Sequence, residues 1–329
     1  MELNKVHHLD WLENGLPDKS VQLIIADPPY FEIKGEFDFI WSSFDEYLKD
    51  VEEWAKECKR ILADNGTLFW YGDAKNIAYT QIVFDRHFEL LNSLVWENTN
   101  PHKQQIRFSE DLRSFAPLTE RILMYDKGED KSGLYAINAN PNCFKSIKVY
   151  LDQEHEKTGL SLREMCQQYG STCSHYFGFS TREKEQFAIP TKEKYELLQS
   201  TGHFRKDYED LRREYEDLRR EYEDLRREYE DLRRPFDNFN HFGDVIHIPN
   251  MEAHKHNHPT VKPEKLTRAL ILTCSRPNDL VFVPFAGSGT ECAMAAKEGR
   301  QFIGFDINAT YVDMANKRAQ THLSTPTLF

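Results

Sequence analysis

The chain predicts an α/β fold, an open Rossmann-like sheet assembled from both ends of the sequence around an inserted middle region. Three observations carry that prediction. Short apolar runs alternate with amphipathic stretches over residues 1–125, and the same alternation returns in 243–329. The intervening residues 126–242 are polar, aromatic-rich and irregular. Within them lies an internal repeat with a period of seven.

In the first part, Val21–Ala26 (Val-Gln-Leu-Ile-Ile-Ala) has the length and apolar character of a buried parallel strand. It runs into Asp27-Pro28-Pro29-Tyr30. From Ser43 to Leu62 the residues Phe44, Tyr47, Leu48, Val51, Trp54, Ala55, Cys58 and Ile61 recur at helical spacing. Asn65-Gly66 predicts a turn ending that helix. Thr67–Tyr71, Leu90–Trp96 and Arg121–Tyr125 then read as strands.

In the insert, Ser161–Tyr169 reads as a short helix with Leu162, Met165, Cys166 and Tyr169 turned inward. Gly170-Ser171-Thr172 breaks it before another short element, as local packing or a DNA-reading helix-turn-helix would require. The repeat follows. Tyr-Glu-Asp-Leu-Arg-Arg starts at Tyr208, Tyr215, Tyr222 and Tyr229, with Glu214, Glu221 and Glu228 joining the copies. It predicts one helix over 208–234, stopped by Pro235, whose Tyr/Leu stripe occupies the a and d positions of a heptad. The stripe suits an arm packed on its own protein or a seam between two subunits of a homodimer. Tyrosine is a poor knob in a two-stranded seam, which favours the first.

In the second part, Leu266–Cys274 reads as a helix and Leu280–Val283 as a strand ending at Phe285-Ala286-Gly287-Ser288-Gly289-Thr290. Glu291–Lys297 is a helix, Phe302–Phe305 a strand ending at Asp306, and Tyr311–Ala319 a final helix.

Bulk properties narrow the class. The chain has 329 residues, 40% of them apolar and 29% charged, the balance of a soluble globular protein. No run approaches the ~20 apolar residues of a membrane span. The N-terminus lacks the pattern of a signal peptide, so a cytoplasmic location is expected. The net charge of −12 argues against broad, nonspecific coating of DNA, although much of the acid lies in the repeat. Six cysteines, at 58, 143, 166, 173, 274 and 292, form no CxxC pair and read as buried thiols. Cys166, Cys173 and His175 fit no common zinc spacing, and His254, His256 and His258 read as a polar loop, so no metal is expected.

The chemistry sits at the two strand ends, some 250 residues apart. In open α/β sheets, ligands bind beyond the carboxyl ends of the strands, so both segments are expected to line one cleft. Gly287 and Gly289 permit a close backbone approach before a helix start that receives anionic groups. Asp306, at the next strand end, is placed to accept from ribose hydroxyls. A dinucleotide fingerprint would need a third glycine, and a phosphate loop Gly-Lys-Ser/Thr. Neither is present.

Together the two segments resemble the β-class DNA amino-methyltransferases, the Asp-Pro-Pro-Tyr-type adenine-N6 and cytosine-N4 enzymes. In these the catalytic tetrapeptide precedes the target-recognition region and the cofactor loop comes last. The resemblance covers roughly residues 1–125 and 243–329. It extends to Leu9-Asp10-Trp11-Leu12, to Glu120–Tyr125 as the closing strand of the catalytic half, and to His258-Pro259-Thr260-Val261-Lys262-Pro263. It implies an S-adenosylmethionine-dependent methyltransferase sheet, with Asp27, Pro28, Pro29 and Tyr30 as catalytic residues. It implies cofactor contacts from Asp10, Asp27, Thr260, Lys262, Pro263, Phe285, Ala286, Gly287, Ser288, Gly289, Thr290 and Asp306. It also implies DNA as partner, with a restriction endonuclease as a further one.

The tetrapeptide suits that chemistry. An exocyclic amine is a weak nucleophile because its lone pair is delocalised into the base. Asp27 and the Pro28 carbonyl, accepting its two hydrogens, favour the nucleophilic form, while Tyr30 can stack on a base withdrawn from the duplex. Asp at position 27 resembles the adenine-N6 members more than the cytosine-N4 ones, which stand as the alternative. A catalytically idle DNA-binding or assembly module is the rival from another class. Two departures stand out. Val283 occupies a strand position usually acidic in the family, and Phe31 a position often held by asparagine.

Overall fold

The computed structural model describes residues 1–33, 38–128, 144–169, 188–251 and 260–323. The chain divides into two compact units. One comprises Met1–Glu129 and Arg234–Phe329, and the other Asp130–Arg233.

The first unit is built on an eight-stranded sheet. Its strands are β1 (Lys5–His8), β2 (Val21–Ala26), β3 (Leu62–Gly72), β4 (Glu89–Glu97), β5 (Thr119–Asp126), β6 (Val245–His247), β7 (Leu280–Val283) and β8 (Gln301–Asp306). They lie in the order β1-β8-β7-β2-β3-β5-β4-β6. The run from β1 to β3 is parallel, whereas β5 pairs antiparallel with both β3 and β4. The sheet is therefore mixed. Strands β2 and β7 come from opposite ends of the chain and are direct neighbours, with Leu23 opposite Val281 and Ile24 opposite Phe282. All four of these residues are fully buried, which explains why both strands read as largely apolar runs.

Helices cover the faces: α1 (Phe44–Ile61), α2 (Ile77–Phe84) and, beyond the second unit, α7 (Glu264–Cys274), α8 (Thr290–Lys297) and α9 (Ala309–Leu323). Ser43 caps α1 by accepting from the Glu46 amide at 3.2 Å. Asp45 and Glu46 in its first turn and Lys59 and Arg60 in its last complement the helix dipole. Tyr47, Val51, Trp54, Ala55, Cys58 and Ile61 are its buried face, each large apolar member contributing about 1.5–3 kcal/mol.

The expected turn at Asn65-Gly66 is not what ends this helix. It ends at Ile61, and Leu62 already pairs with Val21 in β3. The register then slips, so that Leu23 faces Thr67, and Asn65-Gly66 falls within this irregular part of the strand. Among the elements that the sequence does not announce, β1, β6 and α2 have plain physical reasons. In β1 just one residue, Val6, is buried, so no alternation shows. Strand β6 is three residues long. Helix α2 is apolar on every side, with Tyr79 and Ile82 exposed, and so presents no periodic face.

The second unit is helical among its described residues, with α3 (Lys145–Thr158), α4 (Leu162–Tyr169), α5 (Lys192–Gln199) and α6 (Tyr208–Leu232). The element expected after α4 lies outside the described residues. Ile147, Leu151, Met165, Tyr195, Leu198, Phe204 and Leu211 form its core, with Tyr208, Tyr215 and Leu218 packed against it. Phe144 stacks on Tyr215 at 5.2 Å. The first half of the heptad stripe is thus covered by its own unit. Leu211→Ala should destabilise the protein by about 2–5 kcal/mol while leaving its mass in solution unchanged, as read by chemical denaturation and light scattering.

Candidate functional site

Because β1, β8, β7 and β2 are adjacent and parallel, the residues that follow them emerge together at one edge of the sheet. A cavity of about 700 Å³ opens there. Asp10, Asp27, Pro28, Pro29, Tyr30, Thr260, Lys262, Phe285, Ala286, Gly287, Ser288 and Asp306 all line it. The expected convergence of the two chain ends is realised at the β2/β7 junction.

Its inner wall is an ion cluster. The Lys262 ammonium lies 2.7 Å from Asp27 Oδ2 and 3.1 Å from Glu120 Oε2, and the lysine side chain is 4% exposed. Burial alone would lower its pKa, but the two carboxylates outweigh that and raise it, so the ammonium stays charged. The ammonium also sits 5.0 Å from the centre of the Tyr71 ring and 5.8 Å from that of Tyr30. The Tyr30 hydroxyl donates to Asp27 Oδ1 at 2.5 Å, and its amide donates to Asp38 at 2.6 Å. Burial, then the charges of Asp27 and Glu120, hold the Tyr30 phenol well above its usual pKa and hence neutral. Both Asp27 oxygens are thereby oriented, and each keeps a lone pair to accept from a further donor.

Tyr30, expected to stack on a base, is 4% exposed here, with its ring in the core beside Lys262. Phe31 turns towards α1, with its ring 5.3 Å from Phe44 and 5.9 Å from Tyr47.

The outer part of the cavity suits an adenosine-bearing cation. Asp306 Oδ2 accepts from the Gly287 amide at 2.9 Å and Oδ1 from Asn308 at 2.8 Å, which aims the carboxylate and leaves it acceptor capacity. Trp11 and Trp54 meet Phe285 edge to face at 5.8 and 5.2 Å, a rigid aromatic wall for a flat base. Asp10 accepts from the Leu12 amide at 3.0 Å, holding the turn after β1. Lined by several carboxylates beside one paired lysine, the cavity is acidic.

The DNA methylase family model of the N6/N4 type matches residues 21–317. The chain belongs to the DNA methylase family. Enzymes of this family draw the methyl group from S-adenosyl-L-methionine, and the acidic, aromatic-walled cavity fits that donor. The chain is 27% identical to the Type II methyltransferase M.HinfI of Haemophilus influenzae, over 96% of this chain and 68% of the relative. It is 26% identical to the Type II methyltransferase M1.MboII of Moraxella bovis, over 96% of each. Among solved structures, the putative DNA modification methylase TTHA0409 of Thermus thermophilus, crystallised with S-adenosyl-L-methionine, shares the fold. Its TM-score is 0.50 at 20% identity, covering 97% of this chain and 96% of that one. The cytosine-N4-specific PvuII DNA methyltransferase shares it too, with a TM-score of 0.53 at 15% identity over 95% and 85% of the two chains.

Three expected cofactor residues stand outside the cavity lining. Pro263 caps α7, Gly289 caps α8, and Thr290 Oγ1 accepts from Arg318 at 2.8 Å. Glu120, which pairs with Lys262, and the buried Glu291 also belong to the site and are not among the expected residues. For Glu291 the signal was available: an acid within a helix whose other residues from Thr290 to Ala296 are small or apolar. Val283 is fully buried, so the end of β7 offers no charged contact. Among the described residues, no three His, Cys, Asp or Glu side chains converge as metal ligands. Cys143, Cys173, His175, His254, His256 and His258 lie outside those residues.

Gly289 has φ +76°, and a Cβ there would lie 2.5 Å from Ala315 Cα. Backbone strain and overlap each cost about 1–3 kcal/mol. Gly289→Ala should therefore lower the unfolding free energy by more than about 2 kcal/mol. Gly243→Ala, where an added Cβ meets nothing within 4 Å, should change it by less than about 0.5 kcal/mol.

Proposed function

We propose that the chain is a site-specific modification methyltransferase that transfers a methyl group from S-adenosylmethionine to N6 of adenine in DNA, in the cytoplasm. The observation that carries this reading is Asp27, fixed at the end of β2 by Lys262 and Tyr30 and facing the cavity that Asp306 and Gly287 also line. When bound, the donor supplies an electrophilic methyl group on its sulfonium. Asp27 accepts one hydrogen of the target amine and the Pro28 carbonyl the other, and the two prolines fix that turn without competing amide donors. Asp306 accepts from the ribose hydroxyls, and the Gly287–Thr290 turn leaves room for the amino-acid end.

The second unit, with its long helix, is then the region that reads the target sequence. Packing of Leu211, Tyr215 and Leu218 within that unit favours an intramolecular arm over a two-chain seam along this part of the helix. The Type II relatives supply the reason to name a restriction endonuclease of the same target specificity as a functional partner.

Incubation with mixed-sequence duplex DNA and methyl-labelled donor, followed by nucleoside analysis, should yield N6-methyladenine. N4-methylcytosine would overturn the choice of base, and no transfer at all would favour the idle DNA-binding module. Asp27→Ala should reduce transfer by at least about 100-fold, since losing one such electrostatic contact costs about 2.7–4 kcal/mol.

A further inference from the structure

We propose that Glu291 binds the ammonium group on the methionine moiety of S-adenosylmethionine, an assignment that rests on the methyltransferase reading of the cavity. Glu291 is the second residue of α8, lines the cavity and is 5% exposed. The other carboxylates in the lining each have a partner within 3.0 Å: Asp10 the Leu12 amide, Asp27 Lys262, Asp38 the Tyr30 amide, Asp50 the Trp41 indole, and Asp306 the Gly287 amide. Glu291 has its own amide and the Thr267 hydroxyl at 3.5 Å, the outer limit of a hydrogen bond.

The neighbouring cations are committed elsewhere. Lys262 holds Asp27 and Glu120, while Arg318 holds Glu264 at 2.7 Å and the Thr290 hydroxyl at 2.8 Å. A carboxylate buried in an apolar helix with spare acceptor capacity is matched by a ligand that brings several N–H donors and a positive charge. A primary ammonium brings three. The sulfonium brings none. Nor does the end of β7 offer a competing carboxylate, because Val283 is apolar and fully buried.

Titration supports the geometry. Burial, with the Asp27 charge beside it, pushes the Glu291 carboxyl up to about 7, against the pull of Lys262 and Arg318. The other ionisable groups that feel its charge are Tyr71 on β3 and Cys292 on its own helix, and Asp306 on β8 lines the same cavity. Burial raises both the Tyr71 phenol and the Cys292 thiol, which stay neutral near pH 7. An ammonium ligand favours the ionised carboxylate, so donor affinity should rise with pH up to about 7 and level off above it.

Calorimetry on the full chain at pH 6 and pH 8 tests this with three ligands: S-adenosylmethionine, S-adenosylhomocysteine and 5′-methylthioadenosine, which lacks the amino-acid end. Glu291→Gln should weaken the first two by a similar factor of at least about tenfold, leave the third unchanged, and abolish the pH dependence. Glu291→Asp, which keeps the charge, should fall between. Weakening of S-adenosylmethionine alone would assign Glu291 to the sulfonium, and equal weakening of all three would make its role structural. Either outcome, or unchanged affinity, overturns the proposal. Failure of the wild-type chain to bind any of the three would overturn the methyltransferase reading itself. Folding is a separate readout. The native carboxyl pKa lies above the unfolded value, so the contribution of Glu291 to stability without ligand falls as pH rises from about 4.5 to 7. Glu291→Gln should lack that fall and be at least as stable at pH 8.

Discussion

One buried ammonium organises the site. Lys262 follows the segment that opens the second half of the sheet, and it reaches Asp27 on β2 and Glu120 on β5. Placing a charge there costs several kcal/mol of desolvation, offset only if its partners are well placed. They are: two carboxylates lie within about 3 Å, and two aromatic rings flank the ammonium. The position of the carboxylate that would hold the target amine is therefore coupled to the folding of both chain ends. Removing the lysine would leave two acids facing each other, so this contact constrains far more than its own bond.

The sheet makes that contact reachable. A chain that enters at β2 and returns at β7 beside it puts two distant turns at one strand edge, the usual place for a ligand in an open α/β sheet. Strands β8 and β1 extend the same edge and add Asp306 and Asp10. The second unit has a core of its own, formed among its described residues by side chains of its helices.

The parallel core was legible because β2, β7 and β8 are buried on both faces over most of their length, so their sequences are mainly apolar. Helix α1 was legible because its apolar positions recur at helical spacing behind a serine cap. The glycine turn and Asp-Pro-Pro-Tyr announced the cleft through backbone chemistry that few other residues permit. Less could be read where burial and sequence part company. Val6 is one buried residue in a polar edge strand, and Asn65-Gly66 belongs to an irregular strand rather than to a helix stop. The partners of Lys262 depend on register across β3 and β5, which no local pattern encodes. Tyr30 shows the same limit, since its sequence position suggests an exposed ring and its hydrogen bond to Asp27 holds it inside.

Asp27 and Lys262 act as one unit joining the two ends of the chain. A double-mutant cycle on Asp27→Asn and Lys262→Met, read by denaturant unfolding near neutral pH, tests it directly. The expected coupling energy is about 1–3 kcal/mol, with the double variant more stable than the two single losses would sum to. Additive losses, with coupling below about 0.3 kcal/mol, would contradict it and separate the catalytic turn from the cofactor half.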